Sequence, residues 1–295
     1  MSLTVQFPDQ IYLEQIRQRL WGAREFGRAA VMVGAGFSRN AQKTTASIPE
    51  FPLWIDIAEN MFDALYPAGS VDEDKRQRSK ITMTSGTPLR LASEYEAAFT
   101  RAALDDLLLN SIADNGYQPG NLHRMLLSLP WADVFTTNYD TLLERTRPFI
   151  HDRKYDLILD ASDIPVASRP RIVKLHGSFP SQRPFVITEK DFRTYPRRFS
   201  PLVNLVQQSV MENVFCLLGF SGDDPNFLNW TGWVRDHLGN HTQPIYLCGI
   251  LNLSRFREGC SKDVMLYRLT FHRFSLNRRG LIQQYVMPRP WNGCC

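Results

Sequence analysis

Four short runs in this 295-residue chain stop on the same kind of punctuation. Residues 29–33, all apolar, end on Gly34-Ala35-Gly36-Phe37-Ser38. The mostly apolar run 132–135 ends on Thr136-Thr137-Asn138-Tyr139-Asp140, the run 172–175 on His176-Gly177-Ser178, and the run 214–218 on Gly219-Phe220-Ser221-Gly222. Runs this short and this apolar predict strands buried on both faces, as in a parallel sheet. Helical spacings separate them, which predicts an α/β fold: a Rossmann-like parallel sheet with helices on both faces. In such a sheet all four strand ends lie along one edge, where open α/β folds hold their ligands.

The helical spacings cover residues 10–28, 52–66, 87–110, 121–129, 199–213 and 225 to about 238, the last opened by Asp224-Pro225 as cap and first turn. Pro88 suits the first turn of the 87–110 helix, the longest of them. Segments 40–51 and 67–80 are polar or charged and read as loops, and 244–250 and 266–274 as further strands. Residues 40–130 are therefore almost all helix and loop. They form a helical insertion between the first strand and the strand before Asn138, within one unit spanning 1–295. With 43% hydrophobic residues, the chain can bury a core of that size.

Several function classes drop out. The five cysteines form no CxxC pair, which argues against a zinc ribbon or a disulfide scaffold. No HExxH, Walker loop or Gly-x-Ser-x-Gly elbow occurs. No signal-like N-terminus and no apolar stretch approaching about 18 residues is present, so a cytoplasmic protein without a membrane span is expected. The net charge of +4 is mild, although residues 254–289 carry eight Lys/Arg against two Asp/Glu. That region reads as a solvated surface or as a face for an acidic partner, a nucleotide phosphate or nucleic acid.

Taken singly, each strand end is ambiguous. Gly34-Ala35-Gly36 follows a strand as a dinucleotide turn does, but Arg39 stands where a third glycine would be. It is either a tight turn or a variant phosphate turn. Asn138 and the neighbouring Thr137 either tie the turn together or present an amide and a hydroxyl to a ligand. His176 is either structural or a general base that works near neutral pH. Gly219 to Asn226 is either a capped strand-to-helix turn or an anion-binding one, with Asp224 as cap and Asp223 turned to a ligand.

In this order and combination the four strand ends resemble the sirtuin family over residues 29–250, and in particular the bacterial sirtuin-like proteins of anti-phage defence that degrade NAD. The resemblance implies that the Gly34, Ala35, Gly36 and Ser38 turn lies over the pyrophosphate and nicotinamide ribose. It implies that Asn138 and Asp140 line the nicotinamide end, and that His176 is the catalytic base. Gly219 and Ser221 then face a phosphate or the adenine ribose. Deacetylase sirtuins carry two zinc-binding CxxC pairs, and this chain has helices in their place, which favours plain NAD cleavage.

The expected activity is an NAD glycohydrolase giving nicotinamide and ADP-ribose, with NAD as substrate and no metal. Asn138 is expected to orient water and a ribose hydroxyl, and His176 to accept a proton. Asp140 is expected to bind the nicotinamide carboxamide or to stabilise charge on the sugar. The family also implies an oligomer under the control of a partner: a DNA-translocase-type ATPase, an Argonaute or a phage protein, with any nucleic acid acting indirectly. Two other readings stay open. One is an NAD-dependent deacylase or ADP-ribosyltransferase, which needs an acceptor. The other is a non-enzymatic subunit that binds NAD or ADP-ribose.

Overall fold

The computed structural model describes residues 9–22, 26–69, 72–179 and 184–249, together with the backbone of short strands at 266–270, 275–276 and 282–283. In chain order the elements open with α1 (Gln10–Leu20), β1 (Ala29–Val33), the single-turn α2 (Ala35–Ser38) and β2 (Gln42–Lys43). Four helices follow: α3 (Trp54–Leu65), α4 (Glu73–Gly86), α5 (Pro88–Phe99) and α6 (Arg101–Ile112). After β3 (Tyr117–Gln118), which pairs with β2, come α7 (Asn121–Ser128), β4 (Asp133–Thr136), α8 (Leu142–Thr146), β5 (Asp156–Ile158) and β6 (Arg171–Lys174). The remainder is α9 (Glu189–Arg198), α10 (Ser200–Glu212), β7 (Val214–Leu218), α11 (Pro225–Leu238), β8 (Ile245–Gly249) and β9 (Leu266–Thr270).

Seven strands form one sheet in the order β5-β6-β4-β1-β7-β8-β9, and every pairing is parallel. The fold is thus the α/β, Rossmann-like arrangement. Alternate residues of each strand feed different cores, as the two-residue period of a strand requires. Ala30, Met32, Phe135, Val173, Phe215 and Leu217 pack with side chains of α9, α10 and α11 on one face. Ala29, Val31, Val33, Val134, Ile172 and Cys216 pack with α1, α7 and α8 on the other. Strand order turns at β1: the chain next lays β4 on one side of it and only later β7 on the other. In open α/β sheets ligands are held outside the C-terminal strand ends at such a switch point.

A separate core occupies that edge. Ile57, Met61, Phe62, Leu91, Leu104 and Leu108 from α3, α5 and α6 cluster with Tyr139 and Leu142 after β4 and with Phe179 and Phe185 after β6. The helices between β1 and β4 are therefore seated on the loops that carry the strand-end motifs.

Three helix expectations need correction. Residues 67–80 are not simply a surface loop, because α4 begins at Glu73. The helix is polar, with no apolar stripe to announce it. Asp72 caps it by accepting from Lys75 N–H at 3.0 Å, and Lys80 and Arg76 tie it to Asp63 on α3. The long helix expected at 87–110 is two, broken at Thr100, where φ is +123° and the hydroxyl accepts from Ala103 N–H at the start of α6. Helix α1 stops at Leu20 rather than Arg28. Of the basic 254–289 region, only the backbone of its short strands lies within the described residues.

Candidate active site

The four motif-bearing strands are neighbours in the sheet, in the order β6-β4-β1-β7, so their loops stand side by side. Backbone packing explains the glycines first. Gly34 N–H donates to Leu218 O and Gly36 N–H to Gly219 O, each at 3.0 Å. A Cβ on Gly34 would sit 2.4 Å from Gly219 O, and one on Gly219, whose φ is +60°, would sit 2.1 Å from Phe37 N. The loops after β1 and β7 thus interlock, and only glycine permits that approach. Ala35 opens the α2 turn between them.

Side chains extend the interlock toward β4. Ser38, buried in α2, donates from Oγ to Asp140 Oδ2 at 2.8 Å and accepts from Asn138 Nδ2 at 3.0 Å. Asp140 Oδ1 accepts from Leu142 N–H at 3.1 Å, which ties the start of α8 to the same carboxylate. The Asn138 N–H reaches Thr136 Oγ1, which in turn donates to Val33 O on β1. Asn138 is held at two points, through its backbone N–H and its Nδ2, and its Oδ1 meets no donor among the described residues. The amide is half-buried, as is Thr137.

Burial pushes the Asp140 carboxyl above its ordinary range, with Lys174 pulling the other way. Fully buried Lys174 donates to Asp140 O and pairs with Glu144 Oε1 at 3.1 Å, where Ser178 Oγ also donates at 3.2 Å. The Asp140 oxygens, which the resemblance turns to the nicotinamide end, accept from Ser38 Oγ and Leu142 N–H.

His176 follows β6 and is buried. Its ring edges pack on Phe192 and Tyr195 of α9, with centroids at 5.1 and 5.5 Å. Nε2 lies 3.3 Å from Asn226 Nδ2, and Nδ1 lies 3.9 Å from Asp224 Oδ2. Asp224 also caps α11 through Phe227 N–H at 3.0 Å. Asn138 and His176 end adjacent strands, yet their hydrogen bonds run in different directions, toward α2 and toward α11.

Ser221 and Asp223 are exposed on the β7 loop, where Asp223 N–H donates to Ser221 Oγ at 3.3 Å. The expected residues therefore form two groups. Gly34, Gly36, Ser38, Asn138, Asp140 and Gly219 are joined by the interlock, and His176 sits apart on its own support. Asn226, Lys174 and Glu144 were not anticipated. Asn226 follows a legible Asp-Pro cap, but nothing in its neighbours announces a histidine partner fifty residues away. Among the described residues, no three His, Cys, Asp or Glu side chains gather closely enough to share a metal ion.

Two cavities open at the surface. One, of about 660 Å³, is lined by Arg147, His151, Arg153 and their neighbours before β5. The other, of about 590 Å³, lies between α5 and α9 and touches Phe192, the ring that packs on His176.

Residues 132–251 match the family model described as a SIR2-like domain. The chain is 30% identical over 134 residues to NAD(+) hydrolase ThsA of Acinetobacter baumannii (strain 532279), covering 44% of this chain and 27% of that protein. It is 24% identical over 238 residues to NAD(+) hydrolase ThsA of Enterococcus faecium, covering 78% and 44%. To Defense-associated sirtuin 2 of Bacillus subtilis it is 24% identical over 216 residues, covering 71% and 19%. Each match thus spans less than half of the relative's own length.

Proposed function

We propose that the chain is a sirtuin-like protein and an NAD glycohydrolase of anti-phage defence. It cleaves the nicotinamide–ribose bond to give nicotinamide and ADP-ribose. One observation carries the reading: Asn138, braced by Ser38 and Thr136, ends the strand next to the one that ends in His176, beside the β1 switch point. The matched relatives that are named as NAD hydrolases support it.

The chemistry follows from the groups. The bond between the ribose C1′ and the nicotinamide nitrogen breaks, and its electron pair leaves with nicotinamide, which becomes neutral. The sugar passes through an oxocarbenium-like state, as in glycoside hydrolysis. The Asn138 carboxamide, with its nitrogen committed to Ser38, turns Oδ1 to the attacking water or a ribose hydroxyl. Water oxygen bonds to C1′, and its proton passes to His176 and then to solvent. Asp140 acts behind Asn138 by fixing Ser38. Gly34, Ala35, Gly36 and Gly219 give the dinucleotide a floor with no side chain larger than a methyl. Thr137, Ser221 and Asp223 lie at the rim for its polar groups.

An NADase that is active without restraint depletes its own cell, so activity is assigned to an oligomer released by a partner protein. Residues 40–130 are assigned as the cover over the site. In an assay of NAD consumption, Asn138→Ala and His176→Ala are each expected to lower turnover at least about 100-fold. Wild-type turnover in both variants would refute the reading.

A further inference from the structure

We infer that the first turn of α11 sets the protonation state of His176, with Asn226 and Asp224 as its positioning residues. This rests on the NAD-hydrolase reading for its kinetic consequence, but not for its structural content.

The geometry is specific. Asn226 is 1% exposed, although it lies in the first turn of a helix whose neighbours Pro225 and Leu228 face solvent. Its amide nitrogen can only donate. At 3.3 Å from His176 Nε2, it therefore requires a lone pair on that ring nitrogen. A neutral imidazole then carries its hydrogen on Nδ1, the nitrogen that faces Asp224 Oδ2 at 3.9 Å. Phe192 and Tyr195 pack edge-on against the ring, and the Tyr195 hydroxyl is anchored on Leu175 O at 2.8 Å, so the ring is held against exchange of its two nitrogens.

The result is a base whose lone pair is directed by Asn226 and whose charged form would face a carboxylate. For a substrate hydroxyl or water to give its proton to Nε2, the Asn226 N–H must first leave that lone pair; the O–H bond then breaks as the new N–H forms. The imidazolium then stands opposite Asp224. The Asn226 amide must turn its oxygen to the new N–H, so this side chain senses the proton it helped to direct. Asp224 serves two ends with one carboxylate, the α11 cap through Oδ1 and the imidazole through Oδ2.

That double duty gives the test. Asn and Ser cap helices as well as Asp does, so Asp224→Asn and Asp224→Ser preserve the cap and remove the charge. Asn226→Asp places an acceptor against Nε2 and should draw the hydrogen there. All three are expected to lower kcat for NAD about 10- to 100-fold with KM changed by less than about threefold, and the two Asp224 variants to keep the wild-type melting temperature. The histidine ¹⁵N spectrum of the full chain, with His176→Ala identifying the signals, reads the tautomer without any substrate. Hydrogen on Nδ1 in the wild type and on Nε2 in Asn226→Asp is the expected result. Hydrogen on Nε2 in the wild type, or an unchanged tautomer in Asn226→Asp, overturns the inference whether or not NAD is consumed. Unaltered kcat in the Asp224 variants overturns the role of the charge. A wild type that leaves NAD intact while showing the expected spectra would sink the hydrolase reading alone.

Discussion

Ser38 is the residue on which the Asn138 side depends. A serine hydroxyl has one hydrogen and two lone pairs. Here the hydrogen goes to Asp140 and one lone pair receives Asn138. Removing the hydroxyl leaves a buried carboxyl and an amide without their partner, at a cost of about 1–3 kcal/mol. Ser38→Ala is accordingly expected to lower the urea midpoint and to reduce NAD turnover about tenfold or more, because the amide loses its aim. Wild-type kinetics in Ser38→Ala would mean that Asn138 needs no brace. The sequence marks Ser38, Asn138 and Asp140 as polar residues at strand ends. It does not show that Ser38 and Asp140, 102 positions apart, share a bond.

Among the elements, those that announce themselves locally agree with the sequence reading. Strand β7 occupies 214–218 and α11 starts at Pro225, since a continuous apolar run and an Asp-Pro cap are complete local signals. Helix α4 escapes the apolar-periodicity reading because its contacts are ionic. Helix α9 shows no apolar spacing of its own, and its local signal is the Thr188-x-x-Asp191 capping-box pattern, with Asp191 N–H donating to Thr188 Oγ1 at 3.2 Å. The α5–α6 break is invisible because Thr100 interrupts no apolar pattern. At this scale the interlock of the β1 and β7 loops is the feature most open to attack. Gly219→Ala forces a side chain into the Phe37 amide at a backbone conformation that disfavours it, and is expected to cost about 2–3 kcal/mol or more in denaturant unfolding. Unchanged stability would show that the two loops are not packed as described.

For the whole molecule, the parallel sheet and its switch point follow from the strand-end pattern, whereas the second core over that edge depends on contacts between distant segments. Stability should carry a pH signature from His123 on α7. Burial, with a smaller contribution from Arg145, lowers its pKa to about 4, and its Nε2 is buried with no hydrogen-bond partner among the described residues. A histidine titrating lower when folded than when unfolded binds fewer protons in the native state. Its favourable contribution is therefore present above about 6.5 and is lost as pH falls from there toward about 4. The loss amounts to roughly 2–3 kcal/mol. His123→Gln does not titrate, so its stability relative to wild type should rise between pH 7 and pH 4.5 in urea unfolding. A pH-independent difference would contradict the assignment.

Hydrolysis of NAD at the Asn138 and His176 edge is the central claim, and ¹⁸O-labelled water tests it most directly. The full chain, alone and with a candidate activating partner, is incubated with NAD in labelled water and the products are identified by mass. The prediction is nicotinamide together with ADP-ribose carrying one ¹⁸O, formed by wild type and suppressed in Asn138→Ala and His176→Ala. NAD left intact under every activating condition, or an unlabelled cyclic or acceptor-bound ADP-ribose as the product, would contradict it.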